Sequence, residues 1–561
     1  MENPKNIIAA ISLSAAVIIL YSLFFAPTPQ ERKQIQSEKN KTSQNTSGDA
    51  PSLDQNNETI KISREEAMNE SKRILFENEN IKGSISLTGS KIDDLEFKKF
   101  KEELNGDKNV ILLNPSKVKS GYYVETGWAT TSKNIDTPNS KSIWEIKGNN
   151  RLTPNTPIKL VWLNDQNIKF EKEISIDNQY LFTVKQKITN NSEKKYSFYP
   201  YGQIIRNEIP KITNFFILHE GPLGVFDSEL VEEDYDDIQE KPFSVNADKG
   251  FVGITDKFWI TSLIPQENRK FRADFDYKNK FRTNFIETNA TEIGANETKS
   301  NEIKILLAAK EVRVIDEYAK NLNIEKLDLV IDWGYLYFLT RPMWFALDYF
   351  YKLLGNYGLA IIAVTVCIRV ALFPLAQLSF KSMSRMKLLQ PEMQRIKEAN
   401  KDDKKKVQME MMNLYRREKV NPLSGCLPIL PMIFIFFALY KVLFVTLDGR
   451  HKPFYGYLVD LSERDPTSMF NLFGLINWTP PDFLLIGALP LFFGFTMWLQ
   501  QKMNPAPPDP VQAKIFMFFP IFLTVILAPF PSGLLLYWVT NNILQMIQQY
   551  IVMRQTKIKT V

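Results

Sequence analysis

The sequence predicts an α+β protein: a polytopic helical membrane unit of six spans, five of them forming a core, joined to a large antiparallel β-sandwich. Three observations carry this. Apolar runs near 20 residues, the length that crosses a bilayer core, cluster beyond residue 354. The polar first half alternates apolar and polar residues in short runs. The two cysteines, Cys367 and Cys426, both fall in the apolar half, which excludes a disulfide scaffold. Aromatic residues make up 12% of the 561, too many for wholesale disorder. Only His219 and His451 are present, so no histidine-rich metal site is expected, and nothing points to a cofactor.

Residues 7–26 are the first apolar run. A cleaved signal has a shorter apolar core, about 7–15 residues, behind a basic start. Here Glu2 offsets Lys5, so residues 1–26 read as an uncleaved anchor, with cleavage after Ala26 as the alternative. Residues 27–57 are rich in Gln, Asn, Lys, Ser and Pro and read as a flexible tether.

Residues 58–330 read as the sandwich. Ile85 and Leu87 alternate with polar neighbours; Ile158, Leu160 and Trp162 recur at every second position, as do Tyr180, Phe182 and Val184. Tyr196 and Phe198 begin another run, which Pro200 is expected to break. Acid–base catalysis needs paired carboxylates, or histidine with a carboxylate, in one cleft. The acidic run 232–237 reads as solvated loop charge and His219 as structural, so no enzyme is expected.

Residues 331–354 hold Trp333, Tyr335, Tyr337, Phe338, Trp344, Phe345, Tyr349, Phe350 and Tyr351. That density suits an amphipathic helix lying flat at the headgroup interface; the competing reading packs the rings beneath the sandwich. Spans follow at 355–375, 426–447, 483–500, 514–528 and 532–552, within a core unit 355–552. Pro529-Phe530-Pro531 suits a tight turn between the last two. Residues 376–424 carry twelve Lys/Arg and six Asp/Glu, whereas 448–482 carry three and five. Basic loops stay cytoplasmic. This places 376–424, 501–513, the tail 553–561 and both termini inside, and 27–354 outside.

Arg369 is the most informative residue. It is expected six residues from the cytoplasmic end of its span, about 9 Å in, where insertion costs about 2.5–3.5 kcal/mol. Thr365 lies one turn earlier on the same face. In the last span Tyr537, Asn541, Gln545 and Gln548 follow at four, four and three residues, one polar stripe about 80° wide, flanked by Thr540. Thr496 and Gln500 are also four apart. No Asp or Glu lies in any span to pair with Arg369. A wet cavity open to the cytoplasm accounts for this better than interhelical hydrogen bonding, which explains Asn and Thr but not an unpaired Arg. Lys441 lies near the outer end of its span and can snorkel.

In the inner loop, Met383, Met386, Leu389, Met393 and Ile396, then Val407, Met411 and Leu414, recur at helical spacing. They predict two amphipathic helices in a hairpin. The methionines form either an adaptable apolar contact surface or the seam between the helices.

The segment Arg369-Val370-Ala371-Leu372-Phe373-Pro374-Leu375, then Lys387-Leu388-Leu389-Gln390-Pro391, resembles the YidC-type membrane protein insertases. So do Asn421-Pro422-Leu423-Ser424-Gly425-Cys426-Leu427-Pro428 and Phe530-Pro531-Ser532-Gly533 before Tyr537. These motifs fall in order over 330–554, and the sandwich resembles the periplasmic domain of Gram-negative members more loosely.

The resemblance implies a bacterial inner-membrane insertase and chaperone that uses no nucleotide. It would insert nascent membrane proteins through a hydrophilic groove open to cytoplasm and lipid, alone or with the Sec translocon. Arg369 then matches the groove arginine, Tyr537 and Trp538 a substrate-contacting aromatic pair, and 376–424 the cytoplasmic hairpin. Thr365, Thr496, Gln500, Thr540, Asn541 and Gln545 would line the groove, and Phe434, Phe437, Tyr537 and Trp538 a slide for the substrate helix. Met432 departs from the pattern, because many members carry Gln there. The expected partners are nascent chains, lipid, the Sec translocon and, through a short tail only weakly, the ribosome; no specific nucleic acid is expected. The alternatives are a small-molecule transporter, which would show paired repeats that 355–552 lacks, and a membrane-anchored sugar-binding module.

Overall fold

A computed structural model describes residues 62–558, apart from 105, 133–134, 213–217, 401–402, 419, 421–428, 479, 482–483 and 505–509. The expected anchor, the tether and the Cys426 motif lie outside the described residues. The chain divides into two compact units, one chiefly of residues up to Ala309 with Asp316–Leu327, the other chiefly of Asp328 onward.

Among the described residues of the first unit, alternating strands assemble into sheets of eleven and nine strands. All pairings are antiparallel except that of Arg73–Glu77 with Arg151–Leu152. The strand Leu181–Asn190 shows why the pattern folds this way. Phe182, Val184 and Ile188 are buried while Lys185 and Lys187 are exposed, so one face is dry and the other wet. Phe76 of the larger sheet meets Phe182 of the smaller edge-on at 5.1 Å, and Phe97 stacks on Trp259 at 4.7 Å. These rings close the space between the two inner faces. Two short helices border the sheets: α1 (Arg64–Asn69), started by a Ser63–Glu66 capping box, and α2 (Tyr235–Glu240).

One expectation fails here. Pro200 does not end its strand, which runs Tyr196–Arg206 with Pro200 opposite Trp128. On its other edge Tyr196–Phe198 pair with Thr291–Ile293, and pairing with the strand Phe281–Glu287 resumes only at Tyr201. Pro200 falls in that gap between two partner strands, where a missing N–H leaves no ladder position empty.

Lys172 breaks the apolar rule on the inner face. It is 1% exposed; its Nζ donates to Ser90 Oγ and Thr126 O, both at 2.5 Å, and lies 5.0 Å from the Trp144 ring. Burial pushes its ammonium down to about 7, against a smaller opposing pull from Glu125. The unfolded chain keeps this proton up to about pH 10.4. Between about pH 7 and that value, therefore, the unfolded state binds more protons, and stability rises with pH. Urea midpoints of the full-length protein, followed by tryptophan fluorescence, should climb across this window, and Lys172→Met should flatten the climb. An equal slope in the variant would assign it to other groups.

The second unit is helical. After α3 (Val312–Asn321), part of which belongs to each unit, come α4 (Tyr337–Leu354), α5 (Tyr357–Ala371), α6 (Phe373–Leu388), α7 (Gln390–Ala399) and α8 (Lys404–Arg417). Then follow α9 (Ile429–Val445), α10 (Ala488–Met503), α11 (Pro510–Leu527) and α12 (Ser532–Ile558). By length and apolarity no single described helix qualifies as a membrane span; α5 and α6 qualify together, bent by 66°.

That bend corrects the expectation of one continuous helix over 355–375. Pro374 sits in the first turn of α6, where its absent N–H costs nothing, and the helix restarts there in a new direction. Arg369 is consequently in the last turn of α5, just before the bend. The expected turn at Pro529-Phe530-Pro531 does separate α11 from α12. Helix α4 buries Thr340, Met343, Trp344 and Leu347 and exposes Phe338, Phe345 and Tyr349, so both of its faces are apolar. The inner loop forms three helices rather than two, because Pro391 opens a new helix after Leu389.

Candidate groove and polar cluster

Helix α5 starts at an Asn356 cap, whose side chain accepts from Leu359 N at 3.1 Å, and ends two residues beyond Arg369. Its last carbonyls lack intrahelical partners. Gln548 of α12 meets one of them, its Nε2 donating to Arg369 O at 3.1 Å. The guanidinium faces the same helix. Nε donates to Asn541 Oδ1 at 2.7 Å; Nη2 donates to Gln545 Oε1 at 2.8 Å and to Asn541 O at 3.2 Å.

Arg369 therefore has partners, which corrects the expectation of an unpaired arginine. They are neutral amides, so the positive charge is hydrogen-bonded but not cancelled. Spacing cannot reveal this, because 172 residues separate Arg369 from Asn541. Among the described residues nothing accepts from Nη1, whose two N–H groups stay available.

The other expected groove residues divide. Thr365 is buried on α5 and Thr540 half-buried on α12; each hydroxyl donates to the carbonyl four residues back, at 2.7 and 2.8 Å. Such back-bonds satisfy a hydroxyl inside an apolar bundle. Gln500 is half-buried on α10. Thr496 is not at the arginine. Its Oγ1 donates to Phe493 O and accepts from Asn542 Nδ2 at 3.2 Å. Asn542 and Gln549, seven residues apart, form a second polar face of α12 that was not anticipated. Gln549 Nε2 donates to Met503 O at 3.3 Å and Asn504 Oδ1 at 3.1 Å at the end of α10. The seven-residue spacing would have revealed that face. Helix α12 is thus held by amide hydrogen bonds to α5 on one side and α10 on the other.

The expected slide also divides. Phe434 and Phe437 on α9 are exposed, whereas Tyr537 is 1% exposed with its hydroxyl unpartnered among the described residues. Trp538 is half-buried and stacked between Phe436 at 4.7 Å and Phe493 at 5.0 Å. This stack joins α9, α12 and α10 within an apolar cluster that includes Leu489, Leu535 and Val539. Lys441 does not simply snorkel: its Nζ pairs with Asp332 Oδ2 at 2.7 Å, and Asp332 Oδ1 accepts from Gly334 N.

In the inner hairpin, Met393 and Met411 are buried with Leu414 against Leu389, Ile396 and Val407, which makes them the seam between α7 and α8. Met383 packs near Phe380 and Val552, and Met386 is half-buried. Met409 and Met412 face outward.

Residues 73–346 match the family model described as the YidC periplasmic domain, and residues 349–559 match that of the 60Kd inner membrane protein. A "Membrane protein insertase YidC" from Pelagibacter ubique (strain HTCC1062) is 62% identical over 558 residues, covering 100% of both chains. The chain belongs to the YidC membrane protein insertase family. The YidC relative from Brucella suis biovar 1 (strain 1330) is 40% identical over 100% of this chain and 97% of its own, and that from Rickettsia bellii (strain OSU 85-389) is 41% identical over 99% and 100%. A solved structure described as an active YidC insertase with its first transmembrane domain resolved aligns over 86% of this chain and 92% of its own, with 16% identity and a TM-score of 0.36. The YidC family is one of inner-membrane insertases rather than of enzymes, and both its regions are present here: a β-sandwich periplasmic domain and a helical unit.

Proposed function

We propose that this protein inserts nascent proteins into the inner membrane through a hydrophilic groove around Arg369, and helps them fold there. The family supports the activity. The observation that carries the site is a guanidinium held by Asn541 and Gln545 that, among the described residues, has no carboxylate partner and leaves Nη1 uncommitted. Such a group offers charge-assisted hydrogen bonds to the short polar, often acidic, outer tail of a substrate. Moving that tail through hydrocarbon leaves its polar groups unsatisfied at several kcal/mol each, and a groove shortens the dry path.

The substrate's apolar helix would leave along the exposed rings of Phe434 and Phe437 on α9, beside the Trp538 stack. Transfer to lipid at about 25 cal/mol per Å² drives that step. In this reading the chain spans the membrane six times with both termini cytoplasmic. The hairpin 376–424 meets the nascent chain, and the protein acts alone or beside the Sec translocon, with weak contact to the ribosome. No covalent chemistry and no nucleotide enter.

Photocrosslinking from positions 437 and 538 to a stalled, membrane-bound nascent chain tests this. Adducts confined to the nascent transmembrane segment are expected, with 437 the stronger site because its ring is the more exposed. Silence at both positions in correctly folded protein would overturn the reading and favour solute transport.

A further inference from the structure

Residues 466–481 contain no Lys, Arg, Asp or Glu, although Asp465 and Asp482 border them. Within this run Phe470, Leu472, Phe473, Leu475, Ile476 and Trp478 are all exposed, from 40% for Phe470 to 86% for Leu475. Scattered exposed hydrophobics need no explanation, but six in nine consecutive residues form a patch.

The loop is internally built. Ser468 Oγ accepts from Phe470 N at 3.2 Å and donates to Leu484 O at 2.9 Å. Phe473 N donates to Ser468 O at 2.7 Å, and Asn471 Nδ2 donates to Trp478 O at 3.2 Å. Leu472 and Phe473 hold φ of 50° and 57°, a left-handed backbone that is unfavourable for bulky side chains. Strain of this kind persists only where the surroundings impose it. Here it turns large apolar side chains outward.

The roots of the loop fix its level. Met469 N donates to Ile486 O at 2.9 Å, and Thr467 and Asp465 hold the first amides of α10. One turn into α10, Phe492 is exposed, followed by Phe495. Exposed apolar side chains therefore stand both on the loop and on the first turns of α10, which these hydrogen bonds tie together.

We propose that the loop 469–478 is a lipid-embedded wedge, seated at the headgroup–acyl boundary of the outer leaflet, where it anchors the outer end of α10. This rests on the multi-pass reading above. Lipid is the occupant because the loop is tied to the start of α10, a helix with exposed phenylalanines that the multi-pass reading places in the membrane, and carries no charge through which a protein partner would be selected. Tryptophan, phenylalanine and leucine are the side chains that bind this boundary.

The test uses full-length protein with Cys367→Ala and Cys426→Ala, reconstituted in phosphatidylethanolamine–phosphatidylglycerol vesicles. Single nitroxide labels go on Leu475→Cys, Ile476→Cys, Phe495→Cys or Asn279→Cys, the last at the turn between two strands of the sandwich. Power saturation compares collision with oxygen and with a water-soluble nickel chelate. Labels at 475 and 476 should collide several-fold more with oxygen than with nickel, as at 495, and the label at 279 the reverse. Aqueous behaviour at 475 and 476 with lipid behaviour at 495 would overturn the wedge alone. Low collision with both reagents at 475 and 476 would overturn it in favour of a protein partner. Aqueous behaviour at 495 would overturn the multi-pass reading and the wedge with it.

Discussion

Arg369→Ala is expected to reduce insertion of substrates with acidic outer tails by one to two orders of magnitude while leaving neutral-tailed substrates largely unaffected. A hydrogen bond to a charged group contributes about 1.5–3 kcal/mol, and each 1.4 kcal/mol is about tenfold. The variant loses the donors that Asn541 and Gln545 now accept from, together with the charge proposed to meet the tail. A neutral side chain at 369 adds no insertion cost, so the protein should still accumulate in the membrane. Arg369→Lys should fall between the two. It keeps the charge but lacks the planar fork that reaches both amides at once. Protease protection of radiolabelled substrates in proteoliposomes separates the cases, and wild-type insertion of acidic tails by the alanine variant would remove the arginine from the mechanism.

Asp465→Ala should destabilise the helical unit by about 3 kcal/mol, since each buried donor left unsatisfied costs about 1–3 kcal/mol. Asp465 is 2% exposed and serves four donors. Its Oδ2 accepts from Leu489 N at 2.7 Å and Tyr457 OH at 3.4 Å; its Oδ1 accepts from Thr467 N at 2.9 Å and Thr467 Oγ1 at 2.6 Å. It thereby caps α10 at its positive end. Gly487 allows this approach, because a Cβ there would lie 2.3 Å from Asp465 Cγ. Asp465→Asn should recover about half the loss, because its NH2 group cannot replace the second acceptor oxygen. Thermal unfolding of the detergent-solubilised protein reads the effect. A midpoint unchanged in Asp465→Ala would mean that the loop holds α10 without it. Because α10 carries Phe493 and Thr496 against α12, loosening its start should also disturb the Trp538 stack.

Most of the architecture was legible in residue spacing. Period-two alternation marked the strands, long apolar runs marked α5 and α9 to α12, and helical spacing of methionine and leucine marked the hairpin helices, because these patterns report one local fact: which face of the chain is dry. The polar stripe on α12 was legible for the same reason, as 3.6 residues per turn put Asn541, Gln545 and Gln548 on one side. Pro200 misled because the outcome depended on something non-local, residues 355–375 because a proline can open a helix as well as end one. Pro200 is tolerated by a gap between two partner strands that lie some 90 residues further along the chain. The break at Leu372 follows from Pro374 starting a new helix rather than ending the old one.

The site divides along the same line. By itself the sequence determined that an arginine sits in an apolar segment with no acidic residue beside it, that α12 carries an amide stripe, and that the hairpin methionines share a helical face. These are one-dimensional facts, set by composition and period. Only the tertiary structure decided that Arg369 is held by Asn541 and Gln545, that Lys441 pairs with Asp332, that Met393 and Met411 form a seam, and that Tyr537 turns inward while Phe437 turns out. Each of those depends on which helix lies next to which and at what rotation. That is set by packing complementarity over the whole unit, and no window of sequence contains it.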